Sequence, residues 1–237
     1  MHSPYGLEIV EHCASCEQRA GRFFCNLLPE ALGALDAAKF PALYPKGALL
    51  FVEGQPVRGV YVLCSGRVKL AATSPDARVI ITRIVERGEI LGLCAALSGE
   101  PYEVTAETLN PCQITFVRRE DFLRLLAEHG DASLRAAEQL ARNYRAALEQ
   151  VRTLGLTQTA AAKLARFLLE RSARPGGNHT DCLRLALTHE EIGQLIGASR
   201  ETVTRLFSAF KHDQLIEVRG ATLTLQDRPA LEALATH

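Results

Sequence analysis

One segment near the C-terminus carries the signals of two short helices joined by a tight turn. Thr188, with Glu191 three residues later, forms a capping box, which predicts that a helix begins there. Gly197 suits the turn that follows, and Ser199 is a favourable N-cap for a second helix. Apolar residues recur at helical spacing in both helices, at Ile192, Leu195, Ile196, Val203, Leu206, Phe207 and Phe210. The segment therefore predicts a helix-turn-helix.

Two alternating runs follow these helices. They extend from Leu215 to Val218 and from Thr222 to Leu225, on either side of Arg219 and Gly220. Alternation of apolar and polar residues around a turn that contains glycine predicts a β-hairpin. A helix-turn-helix followed by a hairpin is a winged helix-turn-helix, and such a motif places its second helix in the major groove of DNA.

The exposed positions of the second helix suit a major groove. An arginine can donate two hydrogen bonds to guanine O6 and N7, and a glutamate can accept one from cytosine N4. Arg200, Glu201 and Arg205 lie early in the helix, with Ser199 and Thr204 beside them. Glu201 and Arg205 are also four residues apart, so a surface ion pair is the alternative interpretation. The caps, turn and hairpin around them favour DNA contact by all five residues.

The run EIGQLIGASRETVTR resembles the DNA-binding element of the Crp/Fnr family of bacterial transcription regulators. The resemblance implies that Arg200, Glu201 and Arg205 read bases. Arginine at position 200 resembles the Crp subgroup rather than the oxygen sensor Fnr, which favours the half-site TGTGA over TTGAT. Family membership also implies a homodimer on palindromic double-stranded DNA and contact with RNA polymerase.

Composition adds limits to this interpretation. The 237 residues suit one large or two ordinary domains, and 47% hydrophobic content is enough for a core in each. The formal net charge is zero, so DNA binding is expected to depend on the site rather than on bulk charge. No segment approaches the roughly 18 apolar residues of a membrane span, and we expect a cytoplasmic protein. Seven cysteines in that compartment favour metal ligands or redox groups over structural disulfides.

Short apolar runs broken by glycine occupy the chain from about Leu43 to Val117. Such period-two stretches predict an antiparallel β-roll or barrel, and they resemble the sensor domain of the same family, a cyclic-nucleotide-binding-type jelly roll. We therefore expect an α+β fold. Its predicted parts are a cysteine-bearing segment (1–30), a β-roll sensor domain (31–128), a dimerisation helix (129–156) and a winged helix-turn-helix domain (157–237).

The loop RGEILGL and the residues after it argue against a cyclic nucleotide as the ligand. Holding a cyclic phosphate requires a buried cation with adjacent hydroxyl or amide donors, which the Crp subgroup supplies as an Arg-Ser or Arg-Thr pair. The corresponding run here is GEPYEVTAET, which places Glu103 where the phosphate would lie. We expect no cyclic AMP binding.

A helical stretch follows, from the acidic and basic residues at 118–121 to about Leu156. Within it, five residues step by four, three, four and three along a possible heptad seam: Leu140, Tyr144, Ala147, Val151 and Leu154. Packing of this seam against the β-roll of the same chain is the alternative to dimerisation. The family resemblance favours a long dimerisation helix, and two recognition helices on a palindrome must enter grooves roughly 34 Å apart. A further helix is predicted from Gln158 to Ser172.

The N-terminal run HCASCEQRAGRFFC contains the candidate sensor. Cys13 and Cys16 form a CxxC pair whose thiolates can grip one metal, and Cys25 lies close in sequence. The run resembles the start of Fnr-type oxygen sensors, and that resemblance implies Cys112 as the fourth ligand of a [4Fe-4S] cluster. Eight residues separate Cys16 from Cys25, where the Fnr pattern has five. By this interpretation, loss of the cluster to O₂ or NO would release the N-terminal segment from the roll and change DNA affinity.

Other interpretations of these cysteines stay open. Zinc would accept the same thiolates, with His12 as a further donor, and a thiol-disulfide switch would need no metal. They could also be unrelated small residues. The other three cysteines, Cys64, Cys94 and Cys182, lie in apolar stretches and are interpreted as core thiols.

Two other classes of protein fit the sequence less well than a regulator. An enzyme is disfavoured because the chain lacks G-x-S-x-G, P-loop and HExxH motifs. Four histidines are most simply solvated loop or helix-end residues: His129, His179, His189 and His212. A purely architectural DNA binder would have no use for a β-roll or a CxxC segment.

Overall fold

The computed structural model describes Tyr5, His12, Cys13, Cys16 and residues 24–155, 159–172 and 180–236. The chain forms two compact units, Met1–Ala146 and Ala147–His237. Its α+β character agrees with the expectation from sequence. The predicted boundary near Leu156 lies outside the described residues.

In the part of the first unit that the structure describes, eight antiparallel strands form two four-stranded sheets. One sheet has the order β1-β8-β3-β6 and the other the order β2-β7-β4-β5. The strands are β1 Lys39–Tyr44, β2 Leu49–Phe51, β3 Gly59–Ser65, β4 Val68–Thr73, β5 Val79–Val85, β6 Ile90–Leu91, β7 Thr105–Thr108 and β8 Cys112–Arg118. The predicted β-roll is therefore confirmed.

Helices accompany this roll. They are α1 Pro29–Ala38, α2 Leu93–Ser98, α3 Arg119–Glu128 and α4 Gly130–Gly155, of which α4 runs across the division between the units. The helical stretch expected from about residue 118 to 156 is interrupted at His129, whose backbone is extended at the end of α3. One core cluster packs Phe24, Leu32 and Leu35 with Phe122, so α1 and α3 share an apolar interior. A second cluster fills the roll and includes Phe51, Tyr102, Cys112 and Ile114.

The second unit holds the predicted winged helix-turn-helix. Its elements are α5 Ala160–Ser172, β9 Cys182–Arg184, α6 His189–Ile196, α7 Arg200–His212, β10 Ile216–Arg219, β11 Thr222–Leu225 and α8 Arg228–Ala235. Strand β9 was not predicted from sequence; it completes a sheet of order β10-β11-β9. Helix α5 ends at Ser172 as expected but begins at Ala160 rather than at Gln158; Thr159 is not helical, and Gln158 lies outside the described residues.

The interpretation of Cys94 and Cys182 as core thiols is wrong. Both side chains are exposed, whereas Cys64 is half-buried. In β9 the burial alternates, so Leu183 points to the interior and Cys182 does not. In α2 the buried positions are Leu93, Ala95 and Ala96, which leaves Cys94 on the outer side.

Candidate DNA interface and sensor region

The helix-turn-helix is defined by side-chain caps at both helix starts. The Thr188 hydroxyl accepts from the backbone N–H of Glu191 at 3.1 Å, and the Glu191 carboxylate accepts from the N–H of Thr188 at 2.7 Å. Both predicted arms of the capping box are present, and they satisfy two N–H groups that the helix itself leaves unpaired. Gly197 ends α6 with a left-handed backbone, φ 68°. The turn that orients the second helix is thus fixed from both sides.

Gly193 contributes to this turn in a way that sequence reasoning missed. A Cβ added there would lie 2.5 Å from the carbonyl oxygen of Ala198, so the chain after the turn packs directly on the α6 backbone. A glycine inside a helix costs stability, and here the close approach accounts for it. The position could have been suspected from that mismatch alone.

Helix α7 presents its predicted readers to solvent. Ser199 caps the helix by accepting from the N–H of Thr202 at 3.2 Å. Val203, Phe207 and Phe210 are buried and hold the helix on the unit. The exposed side chains include all four predicted readers of the helix: Arg200, Glu201, Thr204 and Arg205.

Within the described chain, the charged side chains of this face are not paired with one another. Among the described residues no ion pair joins Glu201 to Arg205, so the surface pair considered from sequence is not formed. The pKa of Glu201 is lowered, chiefly by its own backbone N–H and then by the Ser199 hydroxyl. An ionised carboxylate only accepts hydrogen bonds, which is the role that cytosine N4 requires.

His189 is tied to the recognition helix rather than simply solvated. Its Nδ1 lies 2.9 Å from the Thr204 hydroxyl, and its ring stacks on Phe207 with centroids 4.8 Å apart. Nothing in the linear sequence relates residues so far apart, so this contact was not predicted. A groove between α7 and the hairpin is lined in part by His189, Thr204, Ser208, Lys211 and Thr222.

The residues of the predicted seam fall into two groups. Tyr144 and Val151 are 66% and 65% exposed, and Ala147 between them is exposed too. Leu140 is half-buried against the core cluster of Phe24, and Leu154 is half-buried as well. Leu148, which sequence analysis did not include, adds an apolar side chain 40% exposed. The centre of the seam is therefore an apolar stripe on the surface of α4.

The roll contains a small cavity lined by Glu103, Arg83, Asn143 and neighbouring apolar residues. Arg83 forms an ion pair with the nearly buried Glu89, so its charge is already matched inside the protein. Phe51 and Tyr102 stack with ring centroids 4.0 Å apart and fill the adjacent interior. A cyclic phosphate needs an available cation, whereas this cavity has the Glu103 carboxylate on its wall and an arginine, Arg83, that is already paired with Glu89.

Cys13 lies against the end of α1. Its Sγ is 3.4 Å from the ammonium of Lys39, and its backbone N–H donates to the Asp36 carboxylate at 3.0 Å. Burial raises the pKa of the Cys13 thiol to about 12; Asp36 contributes to the rise and Lys39 opposes it. Cys16 follows in a turn, with its N–H 3.3 Å from the Cys13 carbonyl, and Cys25 packs on the same cluster as Cys13.

Cys112 lies elsewhere, inside the roll. It is fully buried, and its single S–H is shared between the carbonyls of Asn110, at 3.1 Å, and Arg67, at 3.4 Å. Gly66 makes room for the sulfur, because a Cβ there would lie 2.4 Å from Sγ. In the β1–β8 register, Cys112 is opposite Tyr44, whereas the residue beside Cys13 is Lys39 at the other end of β1. The five steps of strand from Lys39 to Tyr44 span about 17 Å, so Cys112 lies far from the end of β1 that Cys13 contacts.

The four predicted ligands therefore fit an iron-sulfur cluster only in part. Cys13, Cys16 and Cys25 are cysteines of the kind that such a cluster needs, but Cys112 does not join them in this arrangement. Among the residues that the structure describes, no three His, Cys, Asp or Glu side chains are grouped closely enough to hold a metal ion.

Comparisons with known proteins agree with this architecture. Residues 42–129 match the family model of the cyclic nucleotide-binding domain, and residues 162–234 match the Crp-like helix-turn-helix domain. The solved structure of FixK2 from Bradyrhizobium japonicum is similar in fold, with a TM-score of 0.71 at 24% identity over 83% of this chain and 96% of that one. No helix of the described residues is long and apolar enough to cross a membrane.

Two curated relatives are more informative because they match nearly end to end. A CRP-like cAMP-activated global transcriptional regulator of Mycobacterium tuberculosis is 30% identical over 215 residues, which are 90% of this chain and 95% of the relative. The transcriptional activator protein anr of Pseudomonas aeruginosa is 30% identical over 230 residues, 94% of this chain and 92% of the relative. The chain thus has a β-roll that matches the cyclic nucleotide-binding domain, then a long helix, then a capped helix-turn-helix that matches the Crp-like domain, and it belongs to the Crp/Fnr family of transcription regulators.

Proposed function

We propose that this regulator binds palindromic DNA as a homodimer and senses oxygen, redox state or NO through its N-terminal cysteines. The observation that carries the DNA half is the exposed set of Arg200, Glu201 and Arg205 at the capped start of α7. These side chains offer two bidentate donors and one carboxylate acceptor to base edges. Selection from a random pool of double-stranded DNA tests this half. We expect an inverted repeat whose half-sites resemble TGTGA, and recovery of unrelated sequences would contradict it.

The exposed stripe of α4 supports the dimer. Tyr144, Ala147 and Val151 repeat on one side of the helix at coiled-coil spacing and have no apolar cover within the described chain. A two-fold pair of such stripes buries both copies, and it presents two recognition helices to one palindrome. RNA polymerase is the expected further partner of the bound dimer.

The sensor half rests on the chemistry of Cys13, Cys16 and Cys25. When bound, an iron-sulfur cluster would supply a centre that O₂ can oxidise and to whose iron NO can bind. The chain's own contribution is the pair Cys13 and Cys16, linked by a hydrogen bond from the Cys16 N–H to the Cys13 carbonyl, and Cys25, which packs on the same apolar cluster as Cys13.

The Lys39 ammonium lies 3.4 Å from the Cys13 sulfur. Burial and Asp36 outweigh the Lys39 ammonium and raise the pKa of the Cys13 thiol to about 12, so Cys13 would give up its proton on binding a metal. Participation of Cys112 as the fourth ligand requires the N-terminal segment to take another path from the one described.

Anaerobic reconstitution with iron and sulfide tests the sensor. We expect visible charge-transfer absorbance, bound iron and sulfide, and a change of DNA affinity on exposure to air. Absence of that absorbance, together with DNA binding indifferent to air, would remove the iron-sulfur proposal. Stoichiometric zinc in the isolated protein would support the zinc alternative, and a reversible disulfide without metal would support a thiol switch.

A small molecule in the roll is a second candidate signal, since the M. tuberculosis relative is a cAMP-activated regulator. In this chain Glu103 lines the cavity and Glu89 already neutralises Arg83. We therefore propose that cyclic AMP is not the ligand here. Isothermal titration with cyclic AMP should show no heat of binding, and tight binding would overturn the proposal.

A further inference from the structure

The hydroxyl hydrogen of Thr204 is used within the protein. Its Oγ1 lies 2.9 Å from the carbonyl oxygen of Arg200 and 2.9 Å from Nδ1 of His189. A hydroxyl carries a single hydrogen. If this hydrogen bonds the Arg200 carbonyl, His189 donates to Oγ1; if it bonds His189, the imidazole nitrogen is the acceptor. In both arrangements Thr204 has no hydrogen left to donate to a base.

His189 is itself held in place by the unit. It is the first residue of α6, directly after the Thr188 cap, and its ring stacks on the buried Phe207 at an interplanar angle of 24°. Phe207 and Thr204 are three residues apart on α7, so one imidazole contacts both side chains across the helix-turn-helix. The conformation of Thr204 is therefore fixed from outside its own helix.

Thr204 lies on the face that carries the predicted readers. It follows Arg200 by four residues and Glu201 by three, the spacings at which helical side chains are neighbours. The residue is exposed, and its methyl is the one group of the side chain that needs no polar partner. In the major groove such a methyl can contact the C5-methyl of thymine.

We propose that Thr204 recognises a thymine by methyl contact and that His189 is the positioning residue that holds it in the required conformation. The proposal rests on DNA binding by α7 and specifies what one of its residues reads. It differs from a polar role for Thr204, in which the hydroxyl would bond a base edge.

The test is replacement of thymine by deoxyuridine, one position at a time, in a palindrome selected by the wild-type protein. This exchange removes only the C5-methyl. We expect one thymine per half-site to respond, with affinity about fourfold weaker when one copy is replaced and about 15-fold weaker when both are, as for loss of a buried methyl. Thymines outside the half-sites are the control and should not respond.

Two variants at position 204 separate methyl from hydroxyl. Thr204→Val keeps a methyl but loses the hydroxyl that His189 holds, so it should lower the thymine-to-uracil ratio only in part, as His189→Phe does. Thr204→Ser keeps the hydroxyl but lacks the methyl and should bring that ratio close to one. His189→Phe retains the ring on Phe207 but removes Nδ1, and we expect a reduced ratio. A double-mutant comparison of protein and base assigns the responding thymine to Thr204.

The outcomes are distinguishable. If the wild-type protein selects no palindrome, the proposed function itself fails. If it selects one but no thymine responds, or Thr204→Ser keeps the full ratio, the methyl contact is overturned. An unchanged ratio in His189→Phe would overturn the positioning role.

Discussion

Base recognition at the scale of single residues depends on charges that the protein leaves available. Arg200 and Arg205 are exposed at the start of α7, where Glu201 is ionised. A bidentate contact to the right base contributes about 1–3 kcal/mol of discrimination. Each of these side chains should therefore be visible in binding measurements as a loss of specificity rather than of overall affinity.

Glu201→Ala is the sharpest of these changes. We expect affinity for the selected palindrome to fall by about 1–3 kcal/mol per half-site, with little change on random DNA. Fluorescence anisotropy titrations at several salt concentrations measure both. Glu232→Ala, an exposed carboxylate on α8, is the matched control. Equal losses on specific and random DNA would contradict base reading by Glu201.

Cys112 allows a second test of the sensor. Its thiol bonds two backbone carbonyls inside the roll, and Cys112→Ser preserves a donor there while replacing the sulfur. If Cys112 is a cluster ligand, the variant should lose iron on reconstitution in the way that Cys16→Ser does. Iron content equal to wild type, in a folded variant, would remove Cys112 from the ligand set and leave Cys13, Cys16 and Cys25.

At this scale the sequence predicted which side chains of α7 are exposed better than it predicted which residues are in contact. The exposed readers of α7 follow from helical periodicity, since Val203, Phe207 and Phe210 must face inward. The contact between His189 and Thr204 could not be predicted, because it depends on how α6 and α7 cross. For the same reason, spacing alone could not show that Cys13 and Cys112 lie at opposite ends of β1.

At the scale of elements, helix α4 is partly buried near one end and carries an exposed apolar stripe further along. Near its start, the fully buried Gln139 donates to the Ile90 carbonyl at 2.6 Å and accepts from the Ile90 N–H at 2.9 Å. Further along, its apolar stripe is exposed. One part of the helix is thus fixed on the roll, and the other is open to a partner.

Gln139→Leu should destabilise the first unit. The change leaves the N–H and C=O of Ile90 buried without partners, which costs on the order of 2 kcal/mol. Chemical denaturation followed by circular dichroism measures the free energy of unfolding. Gln226→Leu, at an exposed position, should change it by less than about 0.5 kcal/mol. Equal stability of the two variants would show that the paired hydrogen bonds contribute little.

Charge in the exposed stripe should oppose dimerisation. Val151→Glu places a carboxylate in the centre of the predicted seam in both copies, and we expect the dimer dissociation constant to rise at least about tenfold. Sedimentation equilibrium measures this constant. Arg145→Glu introduces the same residue at an exposed position outside the seam and is the control. A monomeric wild-type protein, or a Val151→Glu variant that dimerises normally, would contradict the seam.

The elements themselves were predictable where local chemistry decides them. Caps at Thr188 and Ser199 set the starts of α6 and α7, and the hairpin of β10 and β11 follows from alternation. Strand β9 has only three residues and is formed by pairing with the edge of β11, so no local sequence pattern predicted it. The break at His129 likewise lacks a glycine or proline at the residue itself.

At the scale of the whole molecule, the chain combines a β-roll, a long helix and a helix-turn-helix domain. The sequence predicted the helix-turn-helix domain more reliably than it predicted the arrangement of the cysteines. That domain has a specific motif and an ordered geometry. The proposed sensor consists of three N-terminal cysteines and a fourth, Cys112, that lies apart from them. Half-site preference belongs to this scale, because both copies must be placed on one palindrome.

Competition between two palindromes tests that preference. We expect TGTGA half-sites to be bound more tightly than TTGAT half-sites by the wild-type protein. Arg200→Ala should reduce this difference by about 1–3 kcal/mol per half-site, since it removes the bidentate donor. Tighter binding to TTGAT by the wild-type protein would contradict a Crp-like reader.

The most direct measurement is DNA affinity of the anaerobically reconstituted protein, titrated on its selected palindrome and on a scrambled duplex, before and after exposure to oxygen. We predict that the palindrome is favoured at least about 1,000-fold at physiological salt, and that oxygen changes this ratio in the wild-type protein but not in Cys16→Ser. No preference for the palindrome in either state would contradict the account of a sequence-specific regulator, and a preference unaffected by oxygen would contradict its cysteine sensor.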